Sequence, residues 1–322
     1  MALRLLMMGT GGFALPTFRA LLDSPHDVAG LVTQPDRTGR GHHHHTNVMK
    51  EAAEAAGVGV FQPAKANAED SLDRLREFAA DLFVVAAYGQ ILSADLLAIP
   101  PRGAINVHAS LLPKYRGAAP IQYAILHGET RTGVSIFQIE PKLDAGPILG
   151  VVETEIGPEE TSGELEARLA DLAAPLTVQV VNDLERGTAQ GILQDADQVT
   201  LAPRMAKTMG EIDWSRTSHE IACHVRAMQP WPMPYTFLHR GGAAPQRLLV
   251  LETADVEGRP AGGDNLEPGD AIGLDEARLI VRTGDGFVEI TRIQPAGKRA
   301  MSAADFLRGR PLSEGDRFGG ET

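Results

Sequence analysis

An asparagine and a histidine two positions apart are the residues whose types and spacing most directly suggest chemistry. Asn106 and His108 end a short apolar run. Side chains alternate along a β-strand, so both would lie on one face while Val107 packs on the other. Leu111-Leu112-Pro113 ends the segment, which puts the pair near the carboxyl end of a strand, where open α/β sheets bind ligands. The spacing alone fits a hydrogen-bonded structural pair as well as a binding site.

An aspartate further along the chain adds a third group. Asp144 lies in the turn-forming stretch Leu143-Asp144-Ala145-Gly146-Pro147. An asparagine amide can donate a hydrogen bond to an oxyanion, a histidine carries a proton near neutral pH, and a carboxylate stabilises the charged imidazole. We therefore interpret Asn106, His108 and Asp144 as a catalytic set. We expect Asp144 to raise the pKa of His108 above about 6.5.

Apolar runs with helical patterns between them must position these side chains. The runs predict strands, and the intervening apolar spacing predicts helices. Strands are expected over residues 3–8, 28–33, 81–87, 104–108 and 132–139, with helices over 15–22, 46–56 and 71–79. This order predicts an α/β fold with a mostly parallel sheet covered by helices. A long helix is expected to follow, beginning at the capping box of Thr161 and Glu164.

The last third of the chain has a different pattern of predicted elements. Short strands are expected over residues 248–251, 278–282 and 287–293, between glycine- and acid-rich turns. This pattern predicts a small antiparallel β-barrel. Cys223 and Trp231 are expected to be buried in this part. Residues 194–205 are polar and irregular, which indicates a connection. We divide the chain into a catalytic domain at 1–190, a linker at 191–208 and a barrel domain at 209–322.

Charge and cysteine content exclude several classes of protein. The 322 residues include 42 acids and 30 bases, a net charge of −12, which excludes a surface that is basic all over. Residues 203–322 hold 17 acids against 15 bases, and residues 1–202 hold 25 against 15. A local basic site is therefore still expected. Cys223 is the only cysteine, which excludes an intrachain disulfide and a multi-cysteine zinc site.

Hydrophobic patterning predicts no membrane segment. No apolar run reaches the ~20 residues needed to cross a bilayer. The first residues lack the basic start and long apolar stretch of an export signal. We expect a cytoplasmic protein with no membrane partner and no metal.

A glycine turn follows the first predicted strand. Gly9-Thr10-Gly11-Gly12-Phe13-Ala14 matches the dinucleotide pattern G-x-G-x-x-A. The second strand, however, runs into Thr33-Gln34-Pro35, without the acidic residue that holds a ribose. We interpret the turn as a tight strand-to-helix connection.

Four consecutive histidines form a second unusual segment. His42 to His45 lie among the basic residues Arg37, Arg40 and Lys50. We interpret the segment as a polar basic loop. The residues alone leave open whether it faces solvent, contacts phosphate or binds a metal.

The segments around the proposed catalytic set resemble a known family. Residues 106–113 (NVHASLLP), 116–122 (RGAAPIQ) and 143–149 (LDAGPIL) are similar to the formyltransferases that use 10-formyltetrahydrofolate. The resemblance implies that Asn106, His108 and Asp144 form the catalytic triad. It also implies co-substrate contacts at Ser110, Leu111, Leu112 and Pro113, and a pterin-pocket wall at Tyr88, Gly89, Gln90, Ile91 and Leu92.

Four segments in the last third narrow the resemblance to the methionyl-tRNA formyltransferases. They lie at residues 211–214, 226–232, 294–299 and 301–307. The resemblance implies a Rossmann-like first domain, an OB-like barrel, and formyl transfer to the α-amino group of initiator methionyl-tRNA for translation initiation. For such a substrate we expect tRNA contacts at the basic residues Arg40, Lys207, Lys298 and Arg299, and we expect a monomer. One departure is the run His42 to His45, where the family loop commonly carries lysines.

Other functions are compatible with parts of the pattern. A sugar-amine N-formyltransferase would share Asn106, His108 and Asp144, but the last-third segments favour the tRNA substrate. A nicotinamide-binding oxidoreductase or sensor depends on the glycine turn alone and leaves the triad unexplained. A non-catalytic RNA-binding module would not need an intact triad.

Overall fold

The computed structural model describes residues 2–36, 47–258, 260–263, 265–274, 277–313 and 315–321. The chain divides into two units. Unit 1 comprises Met1–Pro120, Arg131–Glu155 and Glu164–Pro203, and unit 2 comprises Ile121–Thr130, Ile156–Gly163 and Arg204–Thr322.

Strands and helices alternate through the first part of the chain. In chain order the elements are β1 Arg4–Gly9, α1 Ala14–Leu22, β2 Asp27–Val32, α2 Val48–Ala55, β3 Val60–Phe61, α3 Glu69–Glu77, β4 Leu82–Ala86, α4 Ala94–Leu97, β5 Ala104–His108, β6 Arg116–Gly117, α5 Pro120–Leu126, β7 Arg131–Gln138, β8 Ile148–Glu155, α6 Ser162–Arg186 and β9 Leu201–Ala202. A short 3-10 turn, Ala196–Gln198, precedes β9.

The sheet of unit 1 has the strand order β3-β2-β1-β4-β5-β7-β8. Strands β1 to β5 pair in parallel, and β7 and β8 are antiparallel to their neighbours. The predicted mostly parallel sheet is confirmed. Its central strands are apolar throughout because both faces are covered: all five residues of β4 are buried. One face packs on the apolar side of α3, with Phe83 and Val85 in the same core as Leu72 and Leu75.

Unit 2 contains the predicted antiparallel barrel, which is also confirmed. Its main elements are α7 Ser218–Ala227, β10 Tyr235–His239, β11 Gln246–Asp255, β12 Ala271–Leu274, β13 Arg278–Arg282, β14 Phe287–Pro295, β15 Met301–Ser302, α8 Ala303–Gly309 and β16 Arg317–Gly319. The strand order is β12-β13-β14-β11-β10-β16, with β15 added to β14. A bridge between Asp270 and Arg317 joins the two edges, so the barrel is nearly closed. Its core includes Val250, Ile290 and Phe318.

The two tryptophans of unit 2 have opposite environments. The prediction that Trp231 is buried is wrong, because its side chain is 52% exposed beside an exposed Pro230. Trp214 is 4% exposed instead, and its indole N–H donates to Thr236 Oγ1 at 2.9 Å. That internal partner removes the cost of burying the indole N–H. Cys223 lies in α7 and is buried, as predicted.

Among the described residues, the helices are all too short or too polar to span a membrane.

Candidate active site

Strand β5 presents Asn106 and His108 where the sheet changes from parallel to antiparallel. Asn106 pairs with Val85 of β4 on one side and with Phe137 of β7 on the other. His108 pairs with Ser135 of β7. The pleat puts Asn106 and His108 on one face of the strand. Asn106 is half-buried and His108 is buried, at 5% exposure.

His108 is held between a backbone carbonyl and a carboxylate. Its Nε2 lies 2.9 Å from the Tyr115 carbonyl oxygen, and its Nδ1 lies 3.9 Å from Asp144 Oδ2. A carbonyl oxygen only accepts, so Nε2 carries the hydrogen and donates it. In the neutral ring, Nδ1 therefore carries the free lone pair. Nδ1 is the atom that can take up a proton, and the charge so formed would face the carboxylate.

Burial decides the resting charge of His108. Burial has the largest effect and lowers the pKa of the imidazole below 6.5. The Asp144 carboxylate and the Tyr115 carbonyl raise this pKa, and the Arg116 guanidinium lowers it. The expectation that the pKa of His108 lies above about 6.5 is therefore wrong, although the predicted effect of Asp144 itself is present. The carboxylate does act in the predicted direction, but removing the ring from water has the larger effect. His108 is neutral at pH 7.

The loop of Asp144 depends on close backbone contacts. Asp144 itself has a positive φ of 44°, and its Oδ2 accepts a hydrogen bond from the Gly117 N–H at 2.8 Å. Gly117 has a φ of 126°, and a Cβ there would lie 2.5 Å from the Ala202 carbonyl oxygen. A Cβ on Gly146 would lie 1.8 Å from the Gln138 carbonyl oxygen. Only glycine fits at either position. The close packing that the two glycines allow holds the Asp144 carboxylate near His108.

The predicted co-substrate segment after β5 is fixed by its own hydrogen bonds. The buried Ser110 hydroxyl donates to the Lys114 carbonyl at 2.7 Å. Ser135 Oγ donates to the Ser110 carbonyl at 2.7 Å and accepts from the Leu112 N–H at 3.0 Å. Leu112 is buried, and Leu111 and Pro113 are half-buried. The segment is a rigid wall, with the apolar Leu111 and Pro113 as its partly accessible side chains.

The predicted pterin wall follows β4. Tyr88 is buried, which raises the pKa of its phenol to about 12. Gly89 has a φ of 83°. The Gln90 side chain accepts from the Ala66 N–H at 2.8 Å and donates to the Pro63 carbonyl at 3.2 Å. Ile91 is 88% exposed, whereas Leu92 packs partly on the core. The segment therefore offers an exposed apolar surface at Ile91 on an anchored backbone.

Two open clefts adjoin this segment. One, of about 380 Å³, is lined by Lys65, Asn67, Gln90 and Ile91 among others. The other, of about 360 Å³, is lined by Phe61, Asp70 and Ser71 among others. Neither cleft includes Asn106, His108 or Asp144 in its lining.

Several residues at the site were not identified from the sequence. The Tyr115 N–H donates to Thr200 Oγ1 at 2.8 Å, and the Arg116 N–H donates to the Thr200 carbonyl at 2.9 Å. Strands β6 and β9 then pair in parallel. Gln194 contacts both Arg116 and the Asp144 loop. Residues 194–202, which the sequence suggests are a connection, thus hold the loops that contact His108.

The predicted tRNA contacts are only partly described. Arg40, with His42 to His45, lies outside the described residues. Lys207 is exposed in the 3-10 turn Lys207–Gly210 of unit 2. Lys298 and Arg299 are exposed in the turn between β14 and β15.

Both basic turns of unit 2 adjoin one aromatic–cation pair. The Arg247 guanidinium lies 4.0 Å from the centre of the Tyr235 ring. A Cβ on Gly210 would lie 3.2 Å from Tyr235 Cδ1, so the Lys207–Gly210 turn packs on the tyrosine. The Ala296 N–H donates to the Arg247 carbonyl at 3.3 Å, which ties the other turn to the arginine. The turns that carry Lys207 and the Lys298–Arg299 pair are therefore both anchored at strands β10 and β11.

The described residues contain no group of three or more histidine, cysteine, aspartate or glutamate side chains that could hold a metal ion.

Comparisons with known proteins agree along the whole chain. Residues 2–181 match the formyl transferase family, and residues 204–311 match the formyl transferase C-terminal domain. The methionyl-tRNA formyltransferase of Solibacter usitatus is 42% identical over 318 residues, covering 98% of this chain and 99% of the relative. That of Bacillus cytotoxicus is 40% identical over 319 residues, with 98% and 99% covered.

A solved structure shares the fold. WlaRD, a sugar 3N-formyl transferase crystallised in the presence of dTDP and 5-N-formyl-THF, superposes with a TM-score of 0.65 at 15% identity, covering 93% of this chain and 100% of that one. At that identity the likeness concerns the fold alone. The family match over more than half of the chain and the full-length relatives are decisive: the chain belongs to the formyl transferase family.

Proposed function

We propose that this protein transfers a formyl group from 10-formyltetrahydrofolate to the α-amino group of initiator methionyl-tRNA, giving formylmethionyl-tRNA for translation initiation. The observation that carries the proposal is the pairing of His108 Nδ1 with Asp144 Oδ2 at 3.9 Å, at the end of β5. This geometry occurs in a chain about 40% identical to methionyl-tRNA formyltransferases over nearly its full length.

The co-substrate supplies an activated formyl group, and two segments fit its chemistry. A pterin is a flat ring with polar edges. The exposed Ile91 side chain gives an apolar surface that such a ring could cover. The half-buried Leu111 and Pro113 lie on the rigid segment that follows His108. We therefore assign co-substrate binding to residues 88–92 and 110–113.

His108 begins the reaction as a base. The methionyl amine must lose a proton as it attacks the formyl carbon, and neutral His108 can accept that proton at Nδ1, directly or through a water. The imidazolium so formed faces Asp144, which stabilises it. The same proton can then pass to the folate nitrogen as the carbon–nitrogen bond to the co-substrate breaks. His108 returns to its neutral state when that nitrogen leaves.

Asn106 stabilises the charge that develops on oxygen. As the amine attacks, the formyl oxygen becomes an oxyanion, and a side-chain amide is a suitable donor to it. Within the described part of the chain, the Asn106 side chain makes no hydrogen bond, and it is half-buried on the same strand face as His108. Its amide hydrogens are thus available to a substrate.

We assign binding of the tRNA to the barrel domain and to basic residues outside the catalytic set. Residues 1–190 would carry out the transfer, and residues 209–322, joined by 191–208, would hold the acceptor arm. Arg40 and the exposed Lys207, Lys298 and Arg299 would contact phosphates. We also propose that the protein acts as a monomer in the cytoplasm, where charged tRNA and reduced folate are available.

One assay tests the function. The purified protein would receive 10-formyltetrahydrofolate with charged initiator methionyl-tRNA, charged elongator methionyl-tRNA or an amino-sugar nucleotide. We expect formylation of the initiator in preference to the other two acceptors, and its loss in His108→Ala. No formylation of the initiator would overturn the proposal, and formylation of the amino sugar alone would establish the alternative acceptor.

A further inference from the structure

Gln194 bridges two parts of unit 1 that meet at the active site. Its Oε1 accepts from Arg116 Nε at 3.1 Å and from Arg116 Nη2 at 2.7 Å. Its Nε2 donates to the Asp144 and Gly146 carbonyl oxygens, each at 2.8 Å. One amide group therefore holds the guanidinium on one side and the aspartate loop on the other.

The environment of Arg116 is unusual for a buried cation. Arg116 is buried, at 7% exposure. Buried cations are normally paired with a carboxylate. Across the described residues, no carboxylate lies within ion-pair distance of the guanidinium, which donates instead to the neutral Gln194 side chain. A carboxylate is nevertheless close by, because the N–H of the next residue, Gly117, donates to Asp144 Oδ2 at 2.8 Å.

We propose that Gln194 is a positioning residue that keeps Arg116 from pairing with Asp144, so that the Asp144 carboxylate stays available to His108. The amide does this in two ways. It satisfies the guanidinium with a neutral oxygen, and it pins the backbone of the aspartate loop on both sides of Ala145. Without it, attraction between a guanidinium and a carboxylate in a site of low dielectric draws the two together. This inference rests on the proposed role of His108 in formyl transfer.

The charges around His108 define the expected effect. Asp144 and Arg116 are the charged groups that act on its ring, in opposite directions. From β7 it meets the uncharged Ser135 and Phe137, the latter edge-on with ring centres 6.3 Å apart. An Arg116–Asp144 pair would neutralise the carboxylate and bring the guanidinium closer. Both changes disfavour the imidazolium, so the pKa of His108 would fall further.

A double-mutant cycle tests the proposal. Gln194→Ala, Arg116→Met and the double variant would be compared by NMR titration of the His108 ring in the free protein and by kcat and KM for initiator methionyl-tRNA as a function of pH. We expect Gln194→Ala to lower the pKa of His108 and to lower kcat about 10-fold with KM nearly unchanged. Adding Arg116→Met should bring the pKa back to the wild-type value or above and recover part of the kcat. A merely structural role would instead give losses that add.

Controls separate this outcome from misfolding and from the function itself. Gln198→Ala removes a glutamine from the same segment whose side chain donates to Asp195 Oδ2 at 2.8 Å, and we expect no change. Gln194→Met keeps the side-chain length and replaces Gln194→Ala if that variant unfolds. An unchanged His108 pKa in a folded Gln194 variant, or no recovery in the double variant, overturns the proposal. The titration needs no substrate, so it remains valid even if the acceptor is not methionyl-tRNA.

Discussion

His108 Nδ1 lies 3.9 Å from Asp144 Oδ2, while Nε2 of the same ring donates to the Tyr115 carbonyl at 2.9 Å. The second contact fixes the tautomer, and the first determines where a proton taken up by the ring would find its counter-charge. Burial keeps the ring neutral beforehand by lowering its pKa. The geometry therefore suits a base that becomes charged only during the reaction, when Asp144 stabilises the positive charge.

Replacing Asp144 should change both the rate and its pH dependence. A base must be neutral, so the rate is lost as the pH falls through the pKa of His108, which already lies below 6.5. Asp144→Asn removes the charge that raises this pKa, so the acid limb of kcat should move to lower pH. At pH 7 kcat should still fall, by at least about 10-fold, because the imidazolium loses its counter-charge. A pH–rate profile measures both, with Asp197→Asn, an exposed carboxylate on the 3-10 turn, as the control. An acid limb that stays in place would show that Asp144 does not act on His108.

Removing the Asn106 amide should affect the chemical step alone. Asn106→Ala takes away the proposed donor to the developing oxyanion, and loss of one such donor typically costs ~10²–10³ in rate. We expect a kcat lower by about that factor, with the dissociation constant for tRNA nearly unchanged. Single-turnover kinetics and a filter-binding titration separate the two quantities. Turnover near that of the wild type would remove Asn106 from the catalytic set.

The strands that form continuous apolar runs are the ones that can be predicted from the sequence. Strand β4 was expected because its run of five residues is apolar on both faces. Strand β8 is not predicted, because it is an edge strand whose last five residues alternate between exposed and half-buried and end in ETE. The short barrel strands β12 and β16, of four and three residues, are too short to show a pattern. Fully buried strands leave a continuous apolar signal, and edge strands do not.

The candidate site was only partly predictable for a different reason. Asn106, His108 and Asp144 have side chains whose chemistry is visible in the sequence. Tyr115 contributes a backbone carbonyl, and Gln194 reaches the site from 50 residues away from Asp144. Neither role depends on a recognisable side-chain pattern. The sign of the His108 pKa shift was missed because opposite charge can be read from the sequence, whereas the extent of burial cannot.

The two tryptophans should differ sharply in their effect on stability. Trp214→Ala empties a buried site and leaves Thr236 without its donor, which should lower the free energy of unfolding by about 3–5 kcal/mol. Trp231→Ala removes a side chain that is 52% exposed and should change it by about 0.5 kcal/mol or less. Urea unfolding of the two variants gives the comparison. Equal losses would contradict the exposed placement of Trp231.

Gly117 should tolerate no side chain. Its φ of 126° and the 2.5 Å approach of the Ala202 carbonyl to a Cβ mean that Gly117→Ala strains the β6–β9 pairing. We expect a loss of about 1–3 kcal/mol in the free energy of unfolding. We also expect reduced kcat, because the Gly117 N–H orients Asp144. Gly59→Ala is a matched control, since a Cβ there meets no atom within 4 Å. Chemical denaturation of both variants measures the difference, and equal stability would argue against the close contact.

Removing the positive charges of the turn between β14 and β15 should weaken tRNA binding and reduce the salt dependence of that binding. Lys298 and Arg299 are exposed beside the Arg247–Tyr235 pair, so a double substitution to alanine should leave the fold intact. If both contact phosphates, KM for tRNA should rise, and the slope of log affinity against log salt should fall by about 1 for each charge removed. The kcat at saturating tRNA should not change, because neither residue contacts the reacting atoms. Arg76→Ala is the control, since Arg76 is an exposed arginine of α3 paired with Asp73 in the unit with an acidic excess. Equal salt slopes for the wild type and the double variant would place the tRNA elsewhere on the protein, whatever the change in KM.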